Sequence, residues 1–304
     1  MRCPHLPDGF DFTDPDLLHD RVPHLEFASM RETAPVWWRA QPADISGFGD
    51  EGCWSVTRHA DVKYVSTHPE LFSSQTNTAV IRFNETISRD QIDVQKLIML
   101  NMDPPEHTRV RQIVQRGFTP RAIRSPESAL RTRARSIVET ARNAISHGMH
   151  AFLTHPEQWE LYERERPRTT AEEIVRWATP VVSFQRTVTE DTEPGGQRIR
   201  KGERVGLFWS SADNAPEVFD SPEAFDISRD PNPHLGFGGG GPHFCLGRSP
   251  AVLEIDLIFN AIADVLPGLR LPGDPRRLRS AWINGIKQLQ VSAAPESWHR
   301  PPSG

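Results

Sequence analysis

Apolar positions recur at helical spacing from Leu25 to Thr33, and the run ends before Pro35, because proline pushes its preceding residue out of helical geometry. Val36-Trp37-Trp38 and Cys53-Trp54-Ser55-Val56-Thr57 are aromatic and β-branched, and predict two paired strands. An amphipathic helix follows from Arg58 to Thr67, stopped by His68-Pro69, and Ser73 to Gln91 lacks periodicity and reads as a long loop. Pro104-Pro105 suits the first turn of a helix running Glu106 to Phe118, with His107 and Arg111 one turn apart on one face. A basic helical stretch spans Glu127 to about Gly148, and His155-Pro156 opens another helix through Arg166. Thr169 or Thr170 caps a helix containing Glu172 to Trp177, which stops at Pro180. Strands are predicted near Phe184 to Thr189 and Arg204 to Trp209, then a turn-rich segment from Asp213 to Pro233 and a glycine-rich loop. Leu253 to Val265 is again helical, and Lys287 to Val291 is strand-like. The pattern predicts one domain over 1–304, mainly α with small β-sheets, an α+β class.

Charge narrows the function. The 304 residues carry 35 Lys+Arg against 40 Asp+Glu, a formal charge of −5. That argues against nucleic acid as a partner. No apolar run is long enough for a transmembrane helix, and the polar stretch Met1 to Phe12 does not read as a signal peptide, so the expected location is the cytoplasm. The three cysteines, Cys3, Cys53 and Cys245, are far apart, which disfavours both a disulfide framework and a zinc site. Cys3 and Cys53 read as inert thiols.

Cys245 is set apart by its neighbours, Pro233-His234-Leu235-Gly236-Phe237-Gly238-Gly239-Gly240-Gly241-Pro242-His243-Phe244-Cys245-Leu246-Gly247. Gly236, Gly238 and Gly241 satisfy the dinucleotide pattern G-x-G-x-x-G. A dinucleotide loop follows a buried strand, however, and Asp230-Pro231-Asn232-Pro233 cannot be one. No Lys-Ser/Thr follows, so a phosphate loop fails too. The remaining reading is a loop that lets backbone approach a large flat cofactor and presents one thiolate at the start of a helix over Leu246–Val265. A helix N-terminus favours the thiolate. One thiolate without a second ligand nearby suits the axial position of haem.

Three separated motifs resemble the cytochrome P-450 family: the loop ending His243-Phe244-Cys245-Leu246-Gly247, the pair Glu173-x-x-Arg176, and Arg229 before the loop. A carboxylate between two guanidiniums can lock the cysteine loop to the core. The resemblance implies haem b held by Cys245, with His107, Arg111, Arg186 and His243 at its propionates. It also implies O2 as co-substrate, and electrons from NAD(P)H through a ferredoxin and its reductase. Pro7 to Pro15, Ala34 to Trp38, Glu172 to Pro180 and Trp282 to Lys287 resemble the actinobacterial steroid C26/C27 side-chain hydroxylases, as does the spacing of Phe237 from Cys245. That implies a steroid or other apolar substrate, held by the loop Ala79 to Met99, by Val181 and Val182, and by Trp282.

The chain is shorter than that family's members. Glu139-Thr140-Ala141 is similar to the acid–alcohol step of the long helix over the haem, which makes Glu139 and Thr140 the proton-relay residues. The preceding Arg133 to Val138 resembles instead the segment after the propionate helix. An internal deletion at about 138/139 is implied, removing central helices of the distal roof. Arg248, Pro250 and Val252 also depart from the pattern after the cysteine. The alternative is therefore a truncated, catalytically impaired paralogue or pseudogene product that binds haem weakly or not at all.

Overall fold

The two predicted strands pair as expected. β1 (Val36–Ala40) and β2 (Gly52–Val56) are antiparallel, with Val36 opposite Val56. β2 then runs parallel to β5 (Arg204–Phe208), β5 antiparallel to β4 (Ser183–Val188), and β4 antiparallel to the short edge strand β3 (Phe72–Ser73). The five-stranded order is β1-β2-β5-β4-β3. Every residue of central β5 is buried, the burial expected of a strand paired on both edges and covered on its faces. This computed structural model describes residues 6–7, 9–42, 47–83, 86–115, 129–266 and 268–293, with the backbone alone for 129–140.

Helices α1 (Pro15–Asp20) and α2 (His24–Thr33) precede β1 and α3 (His59–Thr67) follows β2. α4 (Arg89–Gln95) and α5 (Glu106–Gln115) lead to the helical core, built from α6 (Ala129–Thr154), α7 (Pro156–Glu165), α8 (Thr170–Ala178) and, after the short α9 (Trp209–Ala212), α10 (Arg248–Val265). Phe152 anchors this core, edge-on to Phe259 at 5.3 Å and to Phe225 at 5.4 Å. Gly148 allows α6 to press against α8 and α10, since a Cβ there would lie 2.9 Å from both Ile174 and Phe259. Two further two-stranded ribbons, β6 (Leu269–Arg270) with β9 (Ser292–Ala293) and β7 (Arg276–Arg277) with β8 (Ile286–Gln288), close the C-terminal part. No helix among the described residues is long and apolar enough to cross a membrane.

Several boundaries differ from the sequence reading. α4 begins inside the predicted loop, because Ser88 and Gln91 form a reciprocal capping box. The helix before His155 is one continuous element to Thr154 and crosses 138/139 without a break in its backbone. Thr169 flanks α8 without capping it: its hydroxyl donates to the Ile227 carbonyl instead. α10 begins at Arg248, not Leu246, with Gly247 as its N-cap. The strand predicted over Lys287 to Val291 is Ile286–Gln288, with a separate short strand at Ser292–Ala293. Phe118, Glu127 and Cys3 lie outside the described residues.

A candidate active site around Cys245

The loop carrying Cys245 is tied to α8 by a buried ionic cluster. Glu173 and Arg176 face one another as a bidentate pair, at 2.8 and 2.7 Å, with both side chains fully buried. Arg229 Nε donates to the same carboxylate at 3.2 Å, Asn232 donates at 2.9 Å, and the Asp226 amide at 3.0 Å. The remaining donors of Arg176 end on the carbonyls of Asp213, Pro222 and Ala224, each at 2.9 Å. Those of Arg229 end on carbonyls of Asp220, Ser221 and Ala224. Two buried guanidiniums and a carboxylate are tolerated here because each is both paired and hydrogen-bonded. The sequence reading placed these three residues together, and the structure does so.

From this anchor the chain turns into the glycine loop. Gly238, Gly240 and Gly241 all have positive φ, and at Gly238 the value is 96°, a backbone conformation that side chains disfavour. The Cys245 amide donates to the Phe237 carbonyl at 2.9 Å, which closes the loop on itself. Cys245 keeps accessible surface and lines a cavity of about 320 Å³. Atoms packed around the thiol push its pKa up, while the amides of Gly247 and Arg248 and the charge of Arg111 pull it down. The net direction is upward, against the sequence expectation. Burial outweighs the lowering by the first amides of α10 and by Arg111.

The cavity is mostly apolar, with Leu100, Val181, Phe184, Trp209, Phe237 and Trp282 in its wall. Its polar lining includes Arg186, His243 and Asn143. Arg186 is buried; it donates to the Gln185 carbonyl at 2.7 Å and pairs with no carboxylate among the described residues. Burial pulls its pKa down to about 10. The rings of His243 and His107 lie 4.2 Å apart. Burial and the neighbouring Arg186 hold His243 down to about 2, and burial with Arg111 lowers His107. The buried Nδ1 of His107 has no hydrogen-bond partner among the described residues. Arg111 completes this group, its pKa lowered by burial, with the charge of a Cys245 thiolate opposing that shift in part.

The structure thus brings Cys245, His107, Arg111, Arg186 and His243 together. Glu139 and Thr140 fall on α6, but their side chains lie outside the described residues. Of the predicted substrate contacts, Val181 and Trp282 line the cavity, whereas Val182 is buried in the interior with its amide on the Trp282 carbonyl at 2.8 Å. Sequence reasoning missed Asp103, which takes the hydroxyl of Ser73 and the amide of Ser74. Ser74 in turn meets His243 Nε2 at 3.2 Å. Nothing local distinguishes Asp103 from other acids near prolines. It also missed Asn143, one turn beyond Glu139 on the same helix.

Residues 168–263 match the cytochrome P-450 family. A steroid C26-monooxygenase of Rhodococcus jostii is 43% identical over 95% of this chain and 85% of its own length. The chain belongs to the cytochrome P-450 family. A steroid C26-monooxygenase of Mycobacterium tuberculosis is 38% identical, covering 95% of this chain and 93% of itself. A Mycobacterium marinum cytochrome P-450 solved in complex with pseudoionone superposes with a TM-score of 0.78 at 26% identity, over 88% of this chain and 94% of that one. The protein is thus a P-450 of the monooxygenase class, an oxidoreductase, with the P-450 fold. The Rhodococcus match runs over 402 positions, more than the 304 residues here, so that relative has internal residues with no counterpart in this chain.

A P-450 uses haem iron and O2, and the residues present fit that group. An accessible thiol lines an apolar cavity, and beside it sit a buried arginine paired with no carboxylate and a histidine nitrogen with no hydrogen-bond partner among the described residues. Carboxylates of a flat apolar cofactor would satisfy both.

Proposed function

We propose that this P-450 hydroxylates the terminal methyl of a steroid side chain, with Cys245 as the iron ligand and His107, Arg111, Arg186 and His243 holding the haem carboxylates. The observation that carries the reading is the Cys245 thiol in the wall of an apolar cavity that also presents Arg186, a buried guanidinium paired with no carboxylate among the described residues. The names of the two steroid C26-monooxygenase relatives support the substrate class. When bound, the haem supplies dioxygen activation, which side chains alone cannot perform. Phe184, Trp282 and Val181 exclude water from the cavity and orient an apolar side chain. Glu139 and Thr140 hold and pass a proton between carboxyl and hydroxyl oxygens on α6. Electrons come from NAD(P)H through a ferredoxin and its reductase, in the cytoplasm. The chain is one P-450 domain shortened internally at about 138/139.

A second reading is favoured by the internal residues missing relative to the Rhodococcus protein and by apolar side chains left exposed on α4, just after it and on α5. Val94 is 61%, Leu97 75% and Ile113 64% accessible. On that reading the chain is a catalytically impaired relative whose cavity admits too much water for productive turnover. The test is cholest-4-en-3-one with haem-loaded protein, ferredoxin, reductase and reduced nicotinamide, analysed for terminal-methyl oxidation. Product formed in step with nicotinamide consumption supports the first reading. Nicotinamide consumption without steroid product supports the second and overturns the first for this chain.

A further inference from the structure

The stretch leading to the cysteine is gripped by side chains that belong neither to the ionic anchor nor to the cation cluster. His234 precedes the glycines, and its Nδ1 accepts from the Gly236 amide at 3.1 Å. Its Nε2 lies 2.8 Å from Glu172 Oε2. An acceptor at Nδ1 puts the ring proton on Nε2, so the ring donates to the carboxylate. The other oxygen of Glu172 receives Arg248, the first residue of α10, three positions beyond Cys245. Arg248 retains 44% of its side-chain accessibility, whereas His234 retains 4%.

The backbone around this contact has little freedom. The Leu235 amide donates to the buried Asp213 at 2.6 Å. A Cβ at Gly236 would come within 2.8 Å of Val175. One residue on, the Phe237 carbonyl holds the Cys245 amide at 2.9 Å. A continuous path therefore runs from surface Arg248 through Glu172 and His234 into the loop backbone, and ends one residue from the carbonyl that holds Cys245. Adjacent residues of α8 divide the labour. Glu173 faces the buried arginines and locks the fold, while Glu172 faces His234 and the loop.

We propose that Glu172, His234 and Arg248 are positioning residues for the Cys245 thiolate, setting the register of the glycine loop and the electrostatic field at the sulfur. The inference rests on the reading of Cys245 as iron ligand. Mechanically, the imidazole holds the Gly236 amide in place. Electrostatically, the chain carries one negative and one positive side chain whose effects on the iron oppose each other. A nearby negative charge disfavours adding an electron and a positive one favours it. Glu172→Gln therefore raises the reduction potential of the bound haem, and Arg248→Gln lowers it. A role confined to folding would not move the two in opposite directions.

The experiment uses the haem-loaded full chain. The carbon-monoxide spectrum of the unmodified protein comes first: absence of the red-shifted thiolate band overturns the Cys245 reading, and this inference with it. With the band present, the variants decide. His234→Asn keeps an acceptor for the Gly236 amide and retains the band. His234→Phe leaves that amide unsatisfied, and haem is released about tenfold faster with partial loss of the band. Equal behaviour of the Asn and Phe variants overturns the mechanical part. Potentials that shift in the same direction, or not at all, in Glu172→Gln and Arg248→Gln overturn the electrostatic part. Both charge variants lie at a partly exposed pair, so they report even where His234→Phe fails to fold.

Discussion

Two groups of arginines flank the cysteine loop and are treated in opposite ways. Arg176 and Arg229 have their donors taken up by Glu173 and by backbone carbonyls. Arg186 and Arg111 pair with no carboxylate among the described residues, and burial depresses the pKa of each. Burying a charge without a partner costs free energy that a folded protein recovers only from something else. The saturated group therefore holds the fold. The unsaturated group holds free energy in reserve for an anionic ligand, which in a P-450 is the haem. Two similar sets of guanidiniums thus mark a strut on one side and a socket on the other.

The largest effect that tests this contrast is at the sulfur itself. Cys245→Ser abolishes the red-shifted carbon-monoxide band of the haem-loaded protein, whereas Cys53→Ala, at a buried thiol, leaves the band unchanged. Next comes the strut. Glu173→Ala strands two buried guanidiniums and costs about 3–5 kcal/mol, read as a lower melting temperature and as haem-free, poorly soluble protein. An unchanged melting temperature would remove the strut side of the comparison.

The socket responds in the opposite sense. Arg186→Gln weakens haem retention by about tenfold, as expected for a lost charged hydrogen bond, but does not lower the melting temperature of haem-free protein, since an unpaired buried charge is removed. A drop in the haem-free melting temperature would instead make Arg186 part of the strut. A smaller effect concerns acid. His147, whose Nε2 meets the Asn284 carbonyl at 3.2 Å, is held down to about 3 by burial. Below the ordinary histidine range, near 6.5, the unfolded chain takes a proton that the folded site refuses, so stability falls as pH drops through that range. His147→Gln flattens this slope in melting temperature against pH, and leaves stability at neutral pH less affected. The smallest effect is Leu257→Glu, at a side chain 62% accessible on α10. It changes stability by no more than about 0.5 kcal/mol but lowers light scattering on heating by breaking an exposed apolar row.

The elements that were legible beforehand are those whose signal is local. α2, α3 and β1–β2 followed from periodicity and from proline stops, because those constraints act within a few residues. The Glu173–Arg176 pair was legible through its resemblance to the P-450 Glu-x-x-Arg motif, and its spacing puts both residues on one helix face. The ends of elements were less legible. Thr169 looked like a cap, yet its hydroxyl found the Ile227 carbonyl, 58 residues away. The early start of α10 was likewise assigned from Cys245 alone, while the loop closes through Phe237.

By itself the chain determined which residues can do chemistry: one cysteine among glycines, a paired acid and base on α8, and a scatter of His and Arg that resembled a P-450. Residue type and short spacing carry that information, because thiolate ligation and helix-face pairing depend on nothing farther away. Only the tertiary structure decided which cations are spent and which remain. Arg176 and Arg186 are both buried arginines ten residues apart; the local pattern gives Arg176 its carboxylate at Glu173, but nothing local shows where the other donors of either side chain end. Their roles differ because the fold brings a carboxylate and three carbonyls to the first and a cavity to the second. Electrostatic free energy depends on what lies within a few ångströms in space, and for these side chains those neighbours come mostly from distant parts of the sequence.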